Sequence, residues 1–335
     1  MPTTDLHTHA IIPDALRAMR AAHPDFGPEV FEEGDQTFLR YPGGRARLGP
    51  LHPGIFDPEA RLAEMDELGV DRHIVAIAPP NSFYHIPAEP AIDFATMQND
   101  AMIAWSDAHP DRLHVFGTLP LQDVEASLAE FDRILSHPRV RGIQIGTNIN
   151  GVDLDDRAFD PLWEASQGAN SPIWVHGDQR QLAGADRLNN YYLQNFIGQP
   201  LESTIAMGKV IFSGVLERYP DLRFGWCHGG GFLPYQIGRW DHGWGCRPEA
   251  VVEIDTNPPS SYFSKMYFDT LTHDPLSLRF LVDRVGADHV LLGSDYPFDM
   301  ASADPVGAAR TARLDESELS SILVENAERF LRPAP

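Results

Sequence analysis

The 335-residue sequence predicts an α/β fold of the distorted (β/α)8 type, a TIM barrel, in a single domain over residues 1–335. The first observation behind this prediction is a series of eight short apolar runs, separated by segments with helical periodicity. The second is that most runs lack strict alternation of apolar and polar residues, as is typical of parallel strands covered on both faces. The predicted strands span residues 3–6, 72–78, 113–119, 140–146, 172–175, 222–227, 265–269 and 289–293.

An open doubly wound sheet is the alternative architecture for this order of elements. Such a sheet favours a glycine-rich phosphate-binding loop directly after its first strand. This chain has His7, Thr8 and His9 at that point instead. The barrel is therefore the preferred prediction.

The helices between the strands have recognisable ends and faces. Asp57 followed by Pro58 predicts the start of a helix, and Gly69 predicts its end. Asp315 and Glu318 have the spacing of a capping box at the start of the last helix. The segment 122–137 carries one apolar stripe at helical spacing, formed by Val124, Leu128, Phe131 and Leu135.

Residues 20–56 interrupt the alternation of strands and helices. This segment contains six glycines and five prolines and has no clear periodicity. A long loop inside a compact domain is usually functional or disordered. We expect a small N-terminal insertion near the mouth of the active site.

The charge balance argues against several classes of partner. Lysine and arginine number 26 and aspartate and glutamate 48, which gives a net charge of −22 and disfavours binding to nucleic acid or to anionic lipid. The sequence contains no stretch of about 20 apolar residues, so no membrane-spanning helix is predicted. The N-terminus lacks the pattern of a secretory signal, and two cysteines, Cys227 and Cys246, cannot form a disulfide framework. We therefore expect a cytoplasmic protein that binds neither nucleic acid nor membrane.

The residues that suggest chemistry stand at the ends of predicted strands. His7 and His9 are two apart on the first strand and so point to the same face. His176 ends the fifth strand, His228 the sixth, and Asp295 follows the eighth. In a TIM barrel these ends meet at one rim, where active sites are built. The imidazoles of His7, His9 and His176 can hold Zn²⁺ or a similar divalent ion, and Asp295 can add an oxygen. This set leaves a coordination position open, as catalytic zinc sites do.

The scarcity of lysine bears on the number of metal ions. The chain contains two lysines, Lys209 and Lys265, and neither lies near the end of the fourth predicted strand. A carboxylated lysine is a group that can bridge two metal ions, and none is available at that strand end. The sequence therefore favours one metal ion.

A series of blocks in order along the chain resembles the amidohydrolase superfamily, in the branch typified by α-amino-β-carboxymuconate-ε-semialdehyde decarboxylase. The resemblance covers nearly the whole chain and implies a single metal, usually zinc. It also implies that His7, His9, His176 and Asp295 are the ligands and that His228 is the catalytic acid or base. The matching blocks are residues 57–66, 117–121, 142–148, 215–220, 228–231, 238–243, 272–275 and 293–298.

The same resemblance implies how the carboxylate of a substrate is bound. Arg239 and Arg247 match arginines that reach the substrate of the neighbouring subunit, which implies a homodimer. A third substrate arginine of the family lies in the N-terminal insertion, where Arg47 or Arg45 can take its place. Arginine suits this role because its planar fork binds a carboxylate with two hydrogen bonds. The loop after His176 departs from the family and leaves the substrate open.

The predicted activity is metal-dependent, non-oxidative decarboxylation of a small unsaturated or aromatic carboxylic acid. Candidate substrates are aminocarboxymuconate semialdehyde and an ortho-substituted benzoate. Two routes are consistent with the residues. In one, His228 takes a proton from a water that adds to the conjugated substrate before CO₂ leaves. In the other, the substrate binds the metal directly and Asp295 or His228 protonates a ring carbon. Alternatives are a hydrolase or hydratase acting on a related carboxylate, amide or lactone, and a non-catalytic metal- or ligand-binding protein.

Overall fold

The computed structural model describes residues 1–44 and 47–333. In that part of the chain, eight parallel strands form one sheet in which spatial order follows chain order. An open doubly wound sheet reverses its strand order, so this order excludes that alternative and confirms the predicted barrel. The barrel strands are β1 (Thr4–Ala10), β2 (Arg72–Ile77), β3 (Leu113–Gly117), β4 (Val140–Ile145), β5 (Ile173–Val175), β6 (Phe224–Trp226), β7 (Met266–Asp269) and β8 (Val290–Leu291).

The barrel closes between β8 and β1. The backbone N–H of Leu6 donates to the carbonyl of Leu292 over 3.0 Å, and that of Asp295 donates to the carbonyl of His7 over 2.8 Å. The N–H of His9 donates to the carbonyl of Tyr296 over 2.7 Å. We call this the β1–β8 seam. Because β8 has only two residues, much of the seam is made by the segment that follows it.

The first strand is longer than the apolar run that predicts it. It continues through His7 and His9 to Ala10, and all seven of its residues are buried. Its register against β2 shifts between Asp5 and Thr8. Two histidines thus lie inside a buried strand. A prediction from hydropathy alone places the end of this strand too early.

Helices surround the barrel, and several begin and end where the sequence predicts. Asp57 caps the third helix and Gly69 ends it in a left-handed conformation, while Asp315 and Glu318 form the expected capping box. None of the helices in residues 1–44 and 47–333 is both long and apolar enough to cross a membrane. The α-helices are α1 (Pro13–Ala22), α2 (Pro53–Phe56), α3 (Pro58–Leu68), α4 (Ala88–Ala108), α5 (Val124–Leu135), α6 (Asp160–Gly168), α7 (Gln199–Phe212), α8 (Val215–Arg218), α9 (Leu233–Cys246), α10 (Pro275–Val285), α11 (Pro305–Thr311), α12 (Glu316–Ser320) and α13 (Asn326–Phe330).

Residues 20–56 are more ordered than the expected long loop. They contain an antiparallel hairpin of Glu29–Glu33 and Gln36–Arg40, and the short helix α2. Phe38 and Leu39 of this hairpin are buried. Leu39 belongs to a satellite cluster that also holds residues of α1 and α4. The alternation in the hairpin is short and interrupted by charges, which is why the sequence suggests a loop.

The main core lies between the sheet and the helices, and aromatic side chains fill the barrel interior. Trp174 of β5 stacks against Phe116 of β3 at 6.0 Å between ring centroids, and Phe330 of α13 packs against both rings. All three side chains are fully buried. This packing fills one end of the barrel and leaves the carboxyl ends of the strands to form the site.

Candidate metal centre and active site

The structure brings the predicted strand-end residues together at one rim of the barrel. His7 and His9 lie side by side on β1 with their rings 5.1 Å apart, and the ring of His176 lies 5.1 Å from each. Asp295 Oδ1 lies 3.2 Å from His7 Nε2 and 3.0 Å from His9 Nε2. Four residues from three strand ends therefore converge on one point.

His228 belongs to the same cluster. One ligand atom from each of His7, His176, His228 and Asp295 can be chosen so that all four lie within 4.8 Å of one another. His228 Nε2 is 3.9 Å from Asp295 Oδ2, and its side chain is 16% exposed, whereas His7 and His9 are fully buried. His228 thus stands at the exposed edge of the cluster, where a proton-transfer residue can meet a substrate.

The chemistry of the donor atoms fits a bound cation. The Nε2 atoms of His7, His9 and His176 are buried and have no hydrogen-bond partner, and the same is true of Asp295 Oδ1. Buried polar atoms nearly always have partners, because leaving one unpaired costs about 1–3 kcal/mol. Four unpaired atoms facing each other are explained when a divalent metal ion binds them together.

Each imidazole is oriented by its other nitrogen. His7 Nδ1 lies 2.7 Å from Asp269 Oδ2, His176 Nδ1 lies 2.8 Å from the carbonyl of Gly177, and His9 Nδ1 lies 3.3 Å from that of Ile77. An acceptor at Nδ1 places the proton there and directs the Nε2 lone pair into the cluster. This is the usual arrangement of metal-binding histidines.

Protonation also suits metal binding. Burial lowers the pKa of His9 and, together with the neighbouring imidazoles, holds that of His176 well below its ordinary value. Both rings are therefore neutral at physiological pH, as ligands must be. Burial also acts to lower the pKa of His7, but Cys227, Asp295 and Asp269 outweigh it and hold that pKa well above its ordinary value. A metal ion would therefore have to displace the proton from His7 Nε2. Burial acts to raise the pKa of Asp295, but the charge of His7 and the contact with His228 outweigh it and hold the pKa well below the usual range. Asp295 is therefore ionised.

Asp269 and Asp5 support the cluster from beneath. Besides holding His7, Asp269 accepts the backbone N–H groups of His228 over 2.9 Å and Gly229 over 2.7 Å. Asp5 accepts the N–H groups of His7 and Ser294 over 3.0 and 3.2 Å, and burial raises its pKa to about 6. Both carboxylates therefore help to orient the cluster.

The backbone after β6 is shaped by glycines. His228 has φ 57°, and the three glycines that follow it are also left-handed. A Cβ on Gly231 would lie 2.2 Å from the carbonyl oxygen of Pro200, so no larger residue fits without a shift of the backbone. Glycine is required here both by the conformation and by the close approach of α7. This turn places the His228 ring over the cluster.

A cavity of about 600 Å³ opens from the cluster to solvent. His228 and Asp295 form its floor, and its walls are largely apolar, with Phe196, Phe232 and Tyr235 at the exposed rim. Among the described residues that line it, none is a lysine or an arginine. His273, whose backbone is left-handed at φ 55°, also lines this cavity.

The three arginines expected to bind substrate lie on the surface of the chain. Arg239 is exposed on α9, and Arg247 is exposed just after that helix and pairs with Glu249 at 3.2 Å. Arg47 pairs with Glu33 and covers the ring of Phe38 at 4.4 Å. Arg45 lies outside the described residues. Within one chain, the structure does not bring Arg239, Arg247 or Arg47 to the wall of the cavity.

Several aromatic residues of the loops that follow the strands divide into two groups. Phe83 and Tyr84 are buried, and Phe83 packs against Phe94 in the satellite cluster. Phe298 lies 5.1 Å from the ring of His9, and Tyr192 is 43% exposed with its hydroxyl 3.3 Å from Asp299. The sequence does not identify Phe196, Phe232 or Tyr235 as cavity residues, since surface aromatics on helices give no periodic signal.

Known proteins with similar sequences and folds share this architecture. An amidohydrolase family model matches residues 4–332. The 2-amino-3-carboxymuconate-6-semialdehyde decarboxylase of Dictyostelium discoideum is 33% identical over 84% of this chain and 78% of its own length. The IDCase of Metarhizium anisopliae in its apo form has a TM-score of 0.84 at 24% identity and covers 98% of this chain and 96% of its own.

A dihydroxybenzoic acid decarboxylase from Polaromonas was solved with bound manganese and the inhibitor 2-nitroresorcinol. It has a TM-score of 0.80 at 20% identity and covers 98% of this chain and 96% of its own. The family match and the identity to the Dictyostelium enzyme both extend over most of the chain. The chain belongs to the amidohydrolase family.

Proposed function

We propose that this protein is a metal-dependent, non-oxidative decarboxylase, a carboxy-lyase, that acts on a small unsaturated or aromatic carboxylic acid. The observation that carries the proposal is the set of buried, unpaired donor atoms of His7, His9, His176 and Asp295, the last of which lines a cavity. His228 stands over them at the edge of that cavity. The relationship to a decarboxylase at 33% identity supports the same reaction class.

His7, His9, His176 and Asp295 would hold one divalent ion, which supplies positive charge to polarise the substrate and stabilise negative charge that develops as CO₂ leaves. Three nitrogen donors and one carboxylate favour Zn²⁺. A structural relative contains manganese, so Mn²⁺ is the second candidate. Mg²⁺ prefers oxygen ligands and suits this donor set less well.

His228 is the proposed acid or base. Its Nδ1 is buried without a hydrogen-bond partner, and its Nε2 faces Asp295, so the ring can accept a proton on one side and release it on the other. Histidine is the side chain that most often transfers protons in enzymes. Asp269 fixes its backbone and so keeps the ring at the cavity floor. Asp295 is the alternative donor to carbon, and because it is ionised it would have to take up a proton before it could donate one.

The cavity favours a flat, mainly apolar acid. Its walls expose more apolar than polar surface, and aromatic side chains at the rim can cover a planar ring. Aminocarboxymuconate semialdehyde and ortho-substituted benzoates are both flat, conjugated acids, and the benzoates are the more apolar of the two. A hydroxyl, amine or imine beside the carboxylate would give the substrate a second atom with which to reach the metal.

A homodimer is proposed to complete the site. The cavity of one chain has no arginine or lysine in its described wall, yet a substrate carboxylate needs a positive partner. Arg239 is exposed on α9 and Arg247 just after it, and the start of this helix lines that cavity through Phe232, Pro234 and Tyr235. From that surface the two arginines can reach the cavity of a second subunit. Arg47 is the proposed contribution of the N-terminal segment, which we place near the mouth of the site.

Mixed dimers test the shared site. We would combine a His228→Ala chain with an Arg239→Ala chain, each inactive as a homodimer under this proposal. A heterodimer contains one cavity with both residues intact and should regain about a quarter to a half of the wild-type rate, as expected for one of two sites. No recovery, together with a monomer in sedimentation, would show that Arg239 does not act across subunits.

The activity itself is tested by CO₂ release from a panel of acids. The protein would be loaded with Zn²⁺ or with Mn²⁺ and mixed with aminocarboxymuconate semialdehyde and with ortho-hydroxy and ortho-amino benzoates. We expect metal-dependent CO₂ from at least one acid. No CO₂ from the whole panel, combined with hydrolysis of an amide or lactone by the same preparation, would identify a hydrolase instead.

A further inference from the structure

Arg61 of α3 is a buried arginine outside the cavity. Its side chain is fully buried, although arginine rarely is unless it is paired. No carboxylate lies within 4.0 Å of its guanidinium among the described residues, and burial lowers its pKa to about 10. The side chain is therefore still charged at physiological pH. An unpaired buried charge is costly, so its retention needs a structural reason.

The guanidinium is satisfied by neutral acceptors on several segments. Its Nε donates to the carbonyl of Gly54 over 3.0 Å, and its Nη1 lies 3.3 Å from both Thr8 Oγ1 and His73 Nδ1. Burial and the charge of Arg61 hold the pKa of His73 well below its ordinary value, so that ring is neutral and can accept. Nη2 donates to the backbone carbonyl of His9. One side chain thus binds α2, β1 and β2.

The same guanidinium reaches the other side of the β1–β8 seam. It lies 4.9 Å from the ring centroid of Tyr296, the residue after Asp295. The Tyr296 backbone in turn bonds that of His9, and its hydroxyl donates to Glu64 of α3 over 2.6 Å. Arg61 therefore contacts the backbone of one proposed ligand, His9, and the immediate neighbour of another, Asp295.

We propose that Arg61 is a positioning residue that fixes the relative placement of His9 and Asp295 by holding the outer side of the β1–β8 seam. The seam needs such support because β8 is only two residues long and the segment that carries Asp295 is not part of a strand. A guanidinium can bind four acceptors in a fixed plane, which neither lysine nor a neutral side chain can do. Without the Arg61 guanidinium, the distance between His9 and Asp295 should vary more, which would weaken metal binding.

The sign of the effect separates positioning from simple electrostatics. A buried positive charge near a cation site repels the cation, so removal of the charge alone would strengthen metal binding. Removal of a group that holds the ligands in place would weaken it. Partners that orient metal ligands typically contribute about 10- to 100-fold in affinity. The two explanations of Arg61 thus predict opposite changes.

Arg141 provides a matched control. It is also a buried arginine, it donates to the backbone carbonyl of Arg332, and it contacts His114 Nδ1 at 3.2 Å. It lies in the first half of β4, at the end of the barrel opposite the site. Arg141→Met removes similar contacts to neutral acceptors, and in addition an ion pair with Glu328 at 3.6 Å, so it should lower stability at least as much without reaching the metal ligands.

The test measures the Zn²⁺ dissociation constant by competition with a chromophoric chelator, and the visible spectrum of Co²⁺-loaded protein, for Arg61→Met, Arg61→Lys and Arg141→Met. We expect both Arg61 variants to bind Zn²⁺ about 10- to 100-fold more weakly, with an altered Co²⁺ spectrum, and Arg141→Met to stay within about twofold of wild type.

Wild-type or tighter Zn²⁺ binding by a folded Arg61 variant would overturn the proposal. An equal loss of Zn²⁺ affinity in Arg141→Met would also overturn it, because the weaker binding would then follow from lower stability alone. If Arg61→Met does not fold, Arg61→Lys decides, because it keeps the charge and loses only the planar fork. Neither readout depends on turnover, so the result stands whatever reaction the site catalyses.

Discussion

His228 is the residue at which metal binding and turnover can be separated. Its ligand atom lies within 4.8 Å of those of His7, His176 and Asp295, yet its side chain is the exposed member of the cluster. If it transfers protons, His228→Asn should lower kcat by about 10²- to 10⁴-fold and leave the bound metal in place. Metal content by atomic absorption and kcat on the same sample check this.

His176→Asn is the control for His228→Asn, since it removes a proposed ligand and should lose the metal. Two outcomes would contradict the assignment of His228. Undiminished turnover of His228→Asn would show that His228 takes no part in the reaction. Metal loss equal to that of His176→Asn would show that His228 is a metal ligand.

His114 predicts a pH dependence of stability. Burial and the nearby charges of Arg72 and Arg141 lower its pKa to about 3, and its ring contacts Arg141 Nη1 at 3.2 Å and the carbonyl of Pro110 at 3.2 Å as a neutral group. In the unfolded chain it takes up a proton near pH 6.5. Keeping His114 neutral therefore costs the folded state nothing above about pH 6.5. Below that pH the free energy of unfolding decreases, and it continues to decrease as pH falls towards 3.

Urea unfolding at pH 7.5 and pH 5.0 measures this effect. His114→Gln keeps an acceptor for Arg141 and does not titrate. Its free energy of unfolding should therefore decrease by about 1–2 kcal/mol less than that of wild type between pH 7.5 and pH 5.0. Parallel losses in the two proteins would show that His114 is not held neutral in the folded state.

Sequence reasoning finds the residues of the cluster and misses most of what surrounds them. His7, His9, His176, His228 and Asp295 are recognisable because each stands at a strand end, and a barrel brings strand ends together. The role of each as ligand or acid stays a prediction. Arg61 and the cavity aromatics leave no such signal, because their contacts join segments that are distant in sequence.

At the scale of elements, the turn after β6 makes a sharp prediction. Gly231 has a left-handed backbone, and a Cβ there would lie 2.2 Å from the carbonyl of Pro200. Gly231→Ala should therefore lower the free energy of unfolding by more than about 1 kcal/mol and displace His228. Thermal unfolding and kcat of the variant test both effects.

Gly238→Ala is the matched control for that turn. Gly238 lies within α9 with nothing within 4 Å of its missing Cβ, so alanine should stabilise the protein by about 0.5–1 kcal/mol. Equal behaviour of the two variants would contradict the tight approach of α7 to the glycine turn.

The elements that the sequence predicts well are those with local signals. The eight strands follow from short apolar runs, and the ends of α3 and α12 follow from Asp57, Gly69 and Asp315, whose side chains or conformations act on their own helix. The extension of β1 and the hairpin in residues 20–56 are missed. Histidines inside a buried strand and charged residues in a short hairpin both break the hydropathy pattern.

At the scale of the whole molecule, the net charge of −22 opposes an anionic substrate. Long-range repulsion should slow the approach of a carboxylate to a cavity that has no arginine or lysine in its described wall. We expect kcat/KM to rise about two- to fivefold as ionic strength increases from about 10 to about 150 mM, because salt screens the repulsion. The expected rise assumes that the net charge outweighs the metal and the proposed arginines of a second subunit at long range. A steep fall with salt would show that these local positive charges dominate the approach instead.

The central claim is that one divalent metal, held by the histidine–aspartate cluster, is required for decarboxylation. Its most direct test is a titration of metal-free protein with Zn²⁺, and separately with Mn²⁺, that follows bound metal and CO₂ release from the preferred acid in the same samples. CO₂ release should rise in proportion to bound metal, stop rising at one equivalent per chain and disappear with chelator. Undiminished CO₂ release from protein stripped of metal would contradict it.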